Sequence, residues 1–351
     1  MGAWRFDLCD SSGEPIGELR RSSATRFIEG VSRPSTAVGE LRGDSPFFGL
    51  LESGLYRVKV TDPAGKVRHY GPILTDNESG SAGKVPRTSW ASIDLVGWRL
   101  RKRFHGKKAA TTDPDVTHTN VDSGLIVENV LAALNAEAAT GITMGTRGTF
   151  VARTISYAWK RALDLLGELA AIDGSFEWRS RYVDGKPPTV YLDLLETIGQ
   201  NREDVYFEYG TGKKNCVAYS ILRDANDLAT DLYATGSGAL ATASDAAARA
   251  VYGRTEELIT PSDVSVSSLL GALATAHLAV RKQPRRTLTL TLGRTSRTPA
   301  YGVEWDYGDV VNARVEAMGK PRVDGFIRVW NVEVGFSDDG VETITPTLVE
   351  S

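Results

Sequence analysis

Apolar and polar residues alternate with a period of two through both ends of the chain and switch to a period near 3.6 in its middle. Trp4, Phe6 and Leu8 alternate with Arg5 and Asp7, residues 11–14 (SSGE) are turn chemistry, and 16–19 can return, which predicts an opening β-hairpin. The stretch 25–41 is mixed, with a break at Arg33 and Pro34. Tyr56, Val58 and Val60 then share one strand face ahead of a turn built from Pro63, Gly65 and Lys66. After a polar loop over 76–84, residues 90–98 (WASIDLVGW) are expected to resume as a strand and close a first β domain near residue 104.

The helical period begins at 125–138, where Ile126, Val130, Ala133 and Leu134 fall on one face and Ser123 is the candidate cap. Ala158, Ala162, Leu165, Leu169 and Ile172 recur at spacings of four and three. That predicts a second amphipathic helix, capped by Ser156 and ended by Gly174. Strands are expected at 176–182, 189–195, 215–223 and 231–235. The Ala-rich segment 238–249 fits helix or loop. Thr260, Pro261, Ser262 and Asp263 form a helix start, and that helix should run to about Lys282, where Pro284 stops it. Leu288, Leu290 and Leu292 mark a half-buried strand. Over 328–336, Trp330, Val332, Val334 and Phe336 share a face from which Ile327 and Val329 are out of phase, so a bulge is expected. Asp338, Asp339 and Gly340 turn the chain into a last strand over 341–349.

Two distant segments echo each other. Residues 54–73 (GLYRVKVTDPAGKVRHYGPI) and 308–327 (GDVVNARVEAMGKPRVDGFI) match at a constant offset of 254 in Gly54/Gly308, Gly65/Gly319, Lys66/Lys320, Arg68/Arg322, Gly71/Gly325 and Ile73/Ile327. Chance would give about one or two identities in a Gly-rich chain. Both segments are laid out as a strand, a Gly-Lys turn and a second strand. One chain with two copies of a small β unit is more simply an architectural piece than an enzyme.

Length allows two to four domains in 351 residues. The net charge of −3 argues against nucleic-acid binding driven by overall charge. No apolar run approaches the roughly 20 residues needed to cross a bilayer, and the first ten residues do not have the layout of a secretory signal. Cys9 and Cys216 make neither a disulfide framework nor a zinc site and read as two free thiols of a reducing cytosol.

The search for chemistry leaves no catalytic, cofactor or metal residue to name. His69, His105, His118 and His277 lie too far apart for a metal-binding pair on one helix. The glycines of 210–213 (GTGK) and 236–238 (GSG) lack a complete phosphate-binding motif, and the first reads as a turn. Asp113 and Asp115 have no second carboxylate cluster to make a glycosidase pair. The strongest local charge is the basic run from Arg99 to Lys108, whose plain reading is a solvated strand end and loop and whose functional reading is contact with phosphate or an acidic partner.

The segments WRFDLCDSSGEPIGEL (4–19), SRPSTAVGEL (32–41), RVKVTDPAGKVRHYGPI (57–73), IDLVGWRLRKR (93–103), FEYGTGKKNCVAYS (207–220) and YGDVV (307–311) resemble, in this order, the minor tail proteins of actinobacterial siphophages. That family is similar to the baseplate-hub proteins of tailed phages. The resemblance implies a β-rich α+β fold with two small β-barrel domains and α/β domains inserted between them. The boundaries expected are 1–104 for a first barrel with its hairpin, 105–205 for an α/β domain, 206–260 for a mixed β connection, and 261–351 for a helix followed by the second barrel. It also implies a non-enzymatic homotrimer at the virion tail tip, assembled in the host cytoplasm and carrying no cofactor. Its partners would be the tail tube or distal tail protein, the tape-measure protein and other minor tail proteins. DNA would pass through its channel without specific binding, in a long non-contractile tail. Two rival classes are a β-rich adhesin that stacks host polysaccharide on its tryptophans and tyrosines, testable by changing Trp90 or Trp305 to Ala although Trp4, Trp90, Trp98 and Trp330 fall in strand patterns and read as core, and a cell-wall hydrolase.

Overall fold

The computed structural model describes residues 3–51, 53–110, 112–172, 176–210, 214–236, 238–260, 267–293, 295 and 297–349. The expected Gly174 stop, the 260–263 helix start beyond Thr260, most of the 210–213 turn and Ser237 lie outside the described residues.

The amino-terminal region is all β. It consists of β1 (Arg5–Cys9), β2 (Pro15–Glu18), β3 (Arg26–Gly30), β4 (Thr36–Arg42), β5 (Arg57–Thr61), β6 (Val67–Ser79) and β7 (Arg87–Ile93). Alternation drives these strands: Ala37 and Leu41 of β4, and Thr88, Trp90 and Ser92 of β7, are buried between less buried neighbours. The strand expected over 90–98 stops at Ile93. Asp94 accepts a hydrogen bond from the Gly97 N–H at 2.6 Å and caps α1 (Leu95–Lys102), which buries Leu95, Val96 and Leu100. A cap and a 3.6-residue spacing override the strand-like composition there.

The middle region holds β8 (Phe104–His105), β9 (Val116–Asp122), α2 (Ser123–Glu137), β10 (Ile142–Arg147), β11 (Ala152–Tyr157), β12 (Lys160–Arg161), α3 (Ala162–Ala171), β13 (Glu177–Val183) and β14 (Thr189–Leu195). Asp122, one residue before the expected Ser123, caps α2 through the Leu125 N–H. The second helix is four residues shorter at its start than Ala158 predicts, because β11 pairs with β9 and β12 pairs with β8 ahead of it. A core of α1, α2, α3 and the β10–β14–β13 sheet gathers here.

The rest is β15 (Asn201–Tyr209), β16 (Cys216–Asp224), β17 (Asp231–Thr235), β18 (Leu240–Ser244), α4 (Ala246–Tyr252), β19 (Glu256–Ile259), α5 (Ser267–Arg281), β20 (Arg285–Leu292), β21 (Val310–Ala317), β22 (Lys320–Phe336) and β23 (Glu342–Val349). The Ala-rich 238–249 segment divides into β18 and the start of α4. Leu270, Ala274 and Leu278 of α5 pack on Leu232 and Ala234 of the β18–β17–β19 sheet, a small insertion with its own core.

The frame is one 13-stranded sheet ordered β16-β20-β23-β22-β3-β4-β7-β6-β5-β1-β2, with β15 joined through β21. Traced outward, the carboxy-terminal half runs β15-β21-β22-β23-β20-β16 and the amino-terminal half runs β1-β5-β6-β7-β4-β3. With β2, which pairs only with β1 among the described strands, set aside, these are the same six places in the same chain order. The halves differ in direction at one place, since β1 is antiparallel to β5 and β15 is parallel to β21. In each half the fifth strand in chain order is long, pairs with the preceding strand over its first part, bulges, and pairs with the last strand over its second part. The predicted bulge lies between Val329 and Asn331, and its counterpart lies between Ile73 and Thr75.

The sequence echo thus marks a real repeat, with one correction. Gly54 and Gly308 both adopt left-handed backbone (φ +85° and +89°) and both donate to the long strand at 2.7 Å, Gly54 to the Ile73 carbonyl and Gly308 to that of Val329. Ile73 therefore corresponds to Val329, two positions beyond the Ile327 that the identities suggest. The extra length sits in the arms of the second hairpin, not in its turn: Val310–Ala317 is three residues longer than Arg57–Thr61, whereas the turn shrinks from Asp62–Lys66 to Met318 and Gly319 alone.

Candidate functional site

The two halves meet where β3 lies antiparallel to the second part of β22, with Asn331 opposite Gly30 and Gly335 opposite Arg26. Beside this seam a charged cluster is buried. The Arg68 guanidinium, on β6, donates from Nε to Asp62 Oδ2 at 2.9 Å and from Nη1 to both carboxylate oxygens of Asp306, at 2.9 and 2.8 Å. It lies 3.4 Å from Glu29 on β3 and 5.1 Å from the centre of the Tyr301 ring. The Tyr301 hydroxyl donates to Glu29 Oε1 at 2.5 Å. Glu29, Asp62 and Arg68 come from the amino-terminal half, and Tyr301 and Asp306 from the segment leading into β21. Burial raises the Glu29 carboxyl to about 7 despite the Arg68 charge beside it. Burial alone would lower Arg68, but Glu29, Tyr301, Asp306 and Asp62 hold it firmly protonated. The cluster bolts the halves together at fixed register, since removing one partner would strand a buried charge.

A second polar network ties the amino-terminal half to the middle region. Ser92 Oγ donates to the Gly71 carbonyl at 3.1 Å and lies 2.9 Å from His69 Nε2, so that nitrogen carries the proton. His69 Nδ1 then accepts from Ser35 Oγ at 2.9 Å. Burial lowers His69 to about 3 and keeps the ring neutral. Asp94 accepts from the Ser35 N–H at 2.8 Å and from Ser180 Oγ of β13 at 3.0 Å, in addition to capping α1. Burial raises its carboxyl against these bonds, which favour the ionised form. A serine, a histidine and an aspartate thus meet, but not as a hydrolase triad. The carboxylate holds the serine instead of orienting the histidine, and all three side chains are buried.

The other sequence candidates resolve into structural roles. His105 Nδ1 and His118 Nε2 flank one hydroxyl, that of Tyr157, at 3.0 and 3.3 Å. His277 lines an apolar cavity of about 420 Å³ with Leu165, Leu169, Ile259 and Leu273. No metal-holding group of His, Cys, Asp or Glu exists among the described residues. The Asp113 carboxylate accepts from the Ala109 and Ala110 N–H groups, and Asp115 pairs with Lys108, so this carboxylate pair shapes a turn. The basic run is the end of α1 and the loop after it. Arg99 stacks 4.4 Å over the Trp98 ring, Arg103 donates to the Leu134 carbonyl, and Arg103 and Lys107 both pair with Glu137. Cys9 and Cys216 are free and buried, and burial raises their thiols to about 11 and about 12. Trp90 and Trp305 are buried, and of the seven tryptophans only Trp159 is exposed, so neither Trp90 nor Trp305 can stack a glycan. The Arg68 and His69 networks were missed because their bonded members lie up to 272 positions apart in sequence. Only the arginine of the echo hinted at the first.

No protein-family profile matches the sequence, and no curated protein matches it. Solved structures do. The tail protein of Neisseria meningitidis MC58 superposes with a TM-score of 0.65 at 13% identity over 99% of this chain and 97% of that one. The 43 kDa tail protein of prophage MuSo2 from Shewanella oneidensis gives 0.64 at 13% identity, over 99% and 98%. An Escherichia coli type VI secretion component, described as structurally similar to the T4 bacteriophage tail proteins gp27 and gp5, gives 0.53 at 12% identity, over 98% and 76%. The chain has the fold of phage tail proteins. With that fold, the buried seam of Glu29, Arg68 and Asp306 is a joint between two like halves.

Proposed function

We propose that this protein is a structural hub of a siphophage tail tip, a homotrimer whose two β units per chain give a six-part ring. The repeated strand order at the two ends of the chain carries the reading, because two like units let three chains present six similar faces to a six-fold tube. The full-length likeness to tail proteins supports it. In this reading each half of the large sheet is one small barrel, 105–205 is the α/β domain, 206–260 is the connection, and 261–351 completes the second barrel. The ring joins the tail tube or distal tail protein to the host-recognition apparatus, and DNA and the tape-measure protein pass through it. It performs no chemistry, and the net charge of −3 suits a channel that must not hold DNA. The Arg99–Lys108 run lies away from the lumen or at a subunit contact. Size-exclusion chromatography with light scattering on the purified chain is expected to give three times 38.0 kDa, and a strict monomer that is also absent from virions rejects the hub.

A further inference from the structure

The repeat has one member missing on each side. Within the chain, the second part of β22 carries β23 on one edge and β3 on the other. Among the described residues, its counterpart, the second part of β6, pairs with β7 on one edge only, the Asp76 carboxylate also accepting from the Ser53 N–H at 3.1 Å. Thr75 to Ser79 are accordingly exposed, where the matching residues of β22 are covered. The counterpart of β3 is β16, which pairs with β20 and has no second strand on its outer edge among the described residues. Val217 and Leu222 stand 64% and 57% exposed on this nine-residue strand, an edge that a soluble chain does not leave bare. β15 is also an edge strand, but Asn215 already bonds its Tyr206 carbonyl and Glu208 N–H, and Arg202, Glu203 and Asp204 stud it with charge.

We infer that β16 of one copy pairs antiparallel with the second part of β6 of the next copy, repeating between chains the β3–β22 seam within each chain. The in-chain seam fixes the register. The two bulges place Thr75 where Asn331 sits. Ile28 reaches the last strand of its half through Thr36 to Ile93, and Leu222 does so through Thr287 to Val349, which makes Leu222 the counterpart of Ile28. Since Glu333 faces Ile28 and Val332 faces Glu29 within the chain, Asn77 faces Leu222 and Asp76 faces Arg223 between chains. The last pair is oppositely charged and exposed on both sides. The contact is heterologous, joining different edges of identical chains, so it forms rings if the rotation closes. It rests on the ring reading above and adds the surface that builds it.

The test separates the two. Asp76→Arg sets two arginines opposite each other, and Arg223→Asp sets two aspartates. Each single variant is expected to raise the concentration for half-assembly by about tenfold or more, and the charge-swapped double variant to return to within about threefold of the parent. An oxidised Asn77→Cys/Leu222→Cys chain is expected to give disulfide-linked pairs and triplets on a denaturing gel, which neither single cysteine variant gives. This second arm needs no loss of assembly and holds even where a charge variant folds poorly. A trimer that ignores both single charge variants and never cross-links overturns the strand pairing and leaves the ring standing. A chain monomeric at every concentration overturns both.

Discussion

The two β units share a strand order and differ in what fills it. In the amino-terminal half, the strand pair β6–β7 buries His69, Ser92 and, just past it, Asp94, and these reach Ser180 in the middle region. In the carboxy-terminal half the place of Ser92 is taken by Leu348, which packs with Val329, Val332 and Val334 in an apolar interior. The connection between β3 and β4 is five residues, whereas the one between β16 and β20 holds the whole α4–α5 insertion. The difference teaches that backbone pairing sets the repeat, while the buried polar groups of one copy are spent on docking a domain. A satisfied polar network fixes orientation in a way that leucine and valine cannot.

The largest expected effect separates the two anchoring glycines. Both need left-handed backbone, which costs a residue with a side chain about 1–2 kcal/mol. A Cβ on Gly54 meets nothing within 4 Å, whereas a Cβ on Gly308 falls 2.4 Å from the Ile198 carbonyl oxygen and 2.7 Å from its carbon. Gly54→Ala should lose about 1–2 kcal/mol in urea unfolding. Gly308→Ala should lose more than about 4 kcal/mol or fail to accumulate folded, since backbone atoms cannot step aside as a side chain can. Equal losses at the two positions would break the claim that the halves are anchored alike but packed differently.

This pair also shows what the sequence could tell. The glycines were legible because a turn residue is a local signal, and alternation placed the strands at 189–195 and 231–235 at their observed limits and those at 176–182 and 215–223 one residue early, while β9, β10 and β11, whose pattern alternates weakly, were not expected. The returning strands were misaligned by two positions because a longer hairpin leaves no mark in a gapless match. The strand expected at 90–98 failed at Asp94, whose capping role depends on Gly97 three residues on and whose burial depends on Ser35 and Ser180 far away. The seam of Glu29, Arg68 and Asp306 joins residues that only the finished sheet brings together, so charge patterning along the chain carries no trace of it.

The next effect is in pH. Glu29 is held near 7 in the folded chain, above its ordinary value near 4.5. The folded state therefore binds the extra proton, and stability falls as pH rises from about 4.5 to 7. His69 is held near 3, below its ordinary 6.5. There the unfolded state binds the extra proton, and stability rises as pH rises from about 3 to 6.5. The two slopes oppose each other between 4.5 and 6.5, so the parent should look nearly flat there. In thermal melts, Glu29→Gln should reveal the rising slope and His69→Gln the falling one. If both variants keep the parent's profile, the buried polar groups of the amino-terminal half do not carry the linkage assigned to them.

The smallest effect comes from the turns, where the two units differ most openly. The amino-terminal turn is organised by Asp62, whose carboxylate accepts from the Ala64 and Lys66 N–H groups, with Gly65 at φ +87°. The carboxy-terminal turn has only two residues, and both are left-handed, Met318 at φ +55° and Gly319 at φ +69°. That geometry favours Asn-Gly, because asparagine tolerates the left-handed region and its amide can bond locally. Met318 is 95% exposed and buries nothing within the chain. Met318→Asn should therefore stabilise the isolated chain by about 0.5–1 kcal/mol in urea unfolding. If it does, methionine is retained there against the folding preference of its own hairpin. If it destabilises instead, the register of the second hairpin depends on contacts along its longer arms and not on its turn.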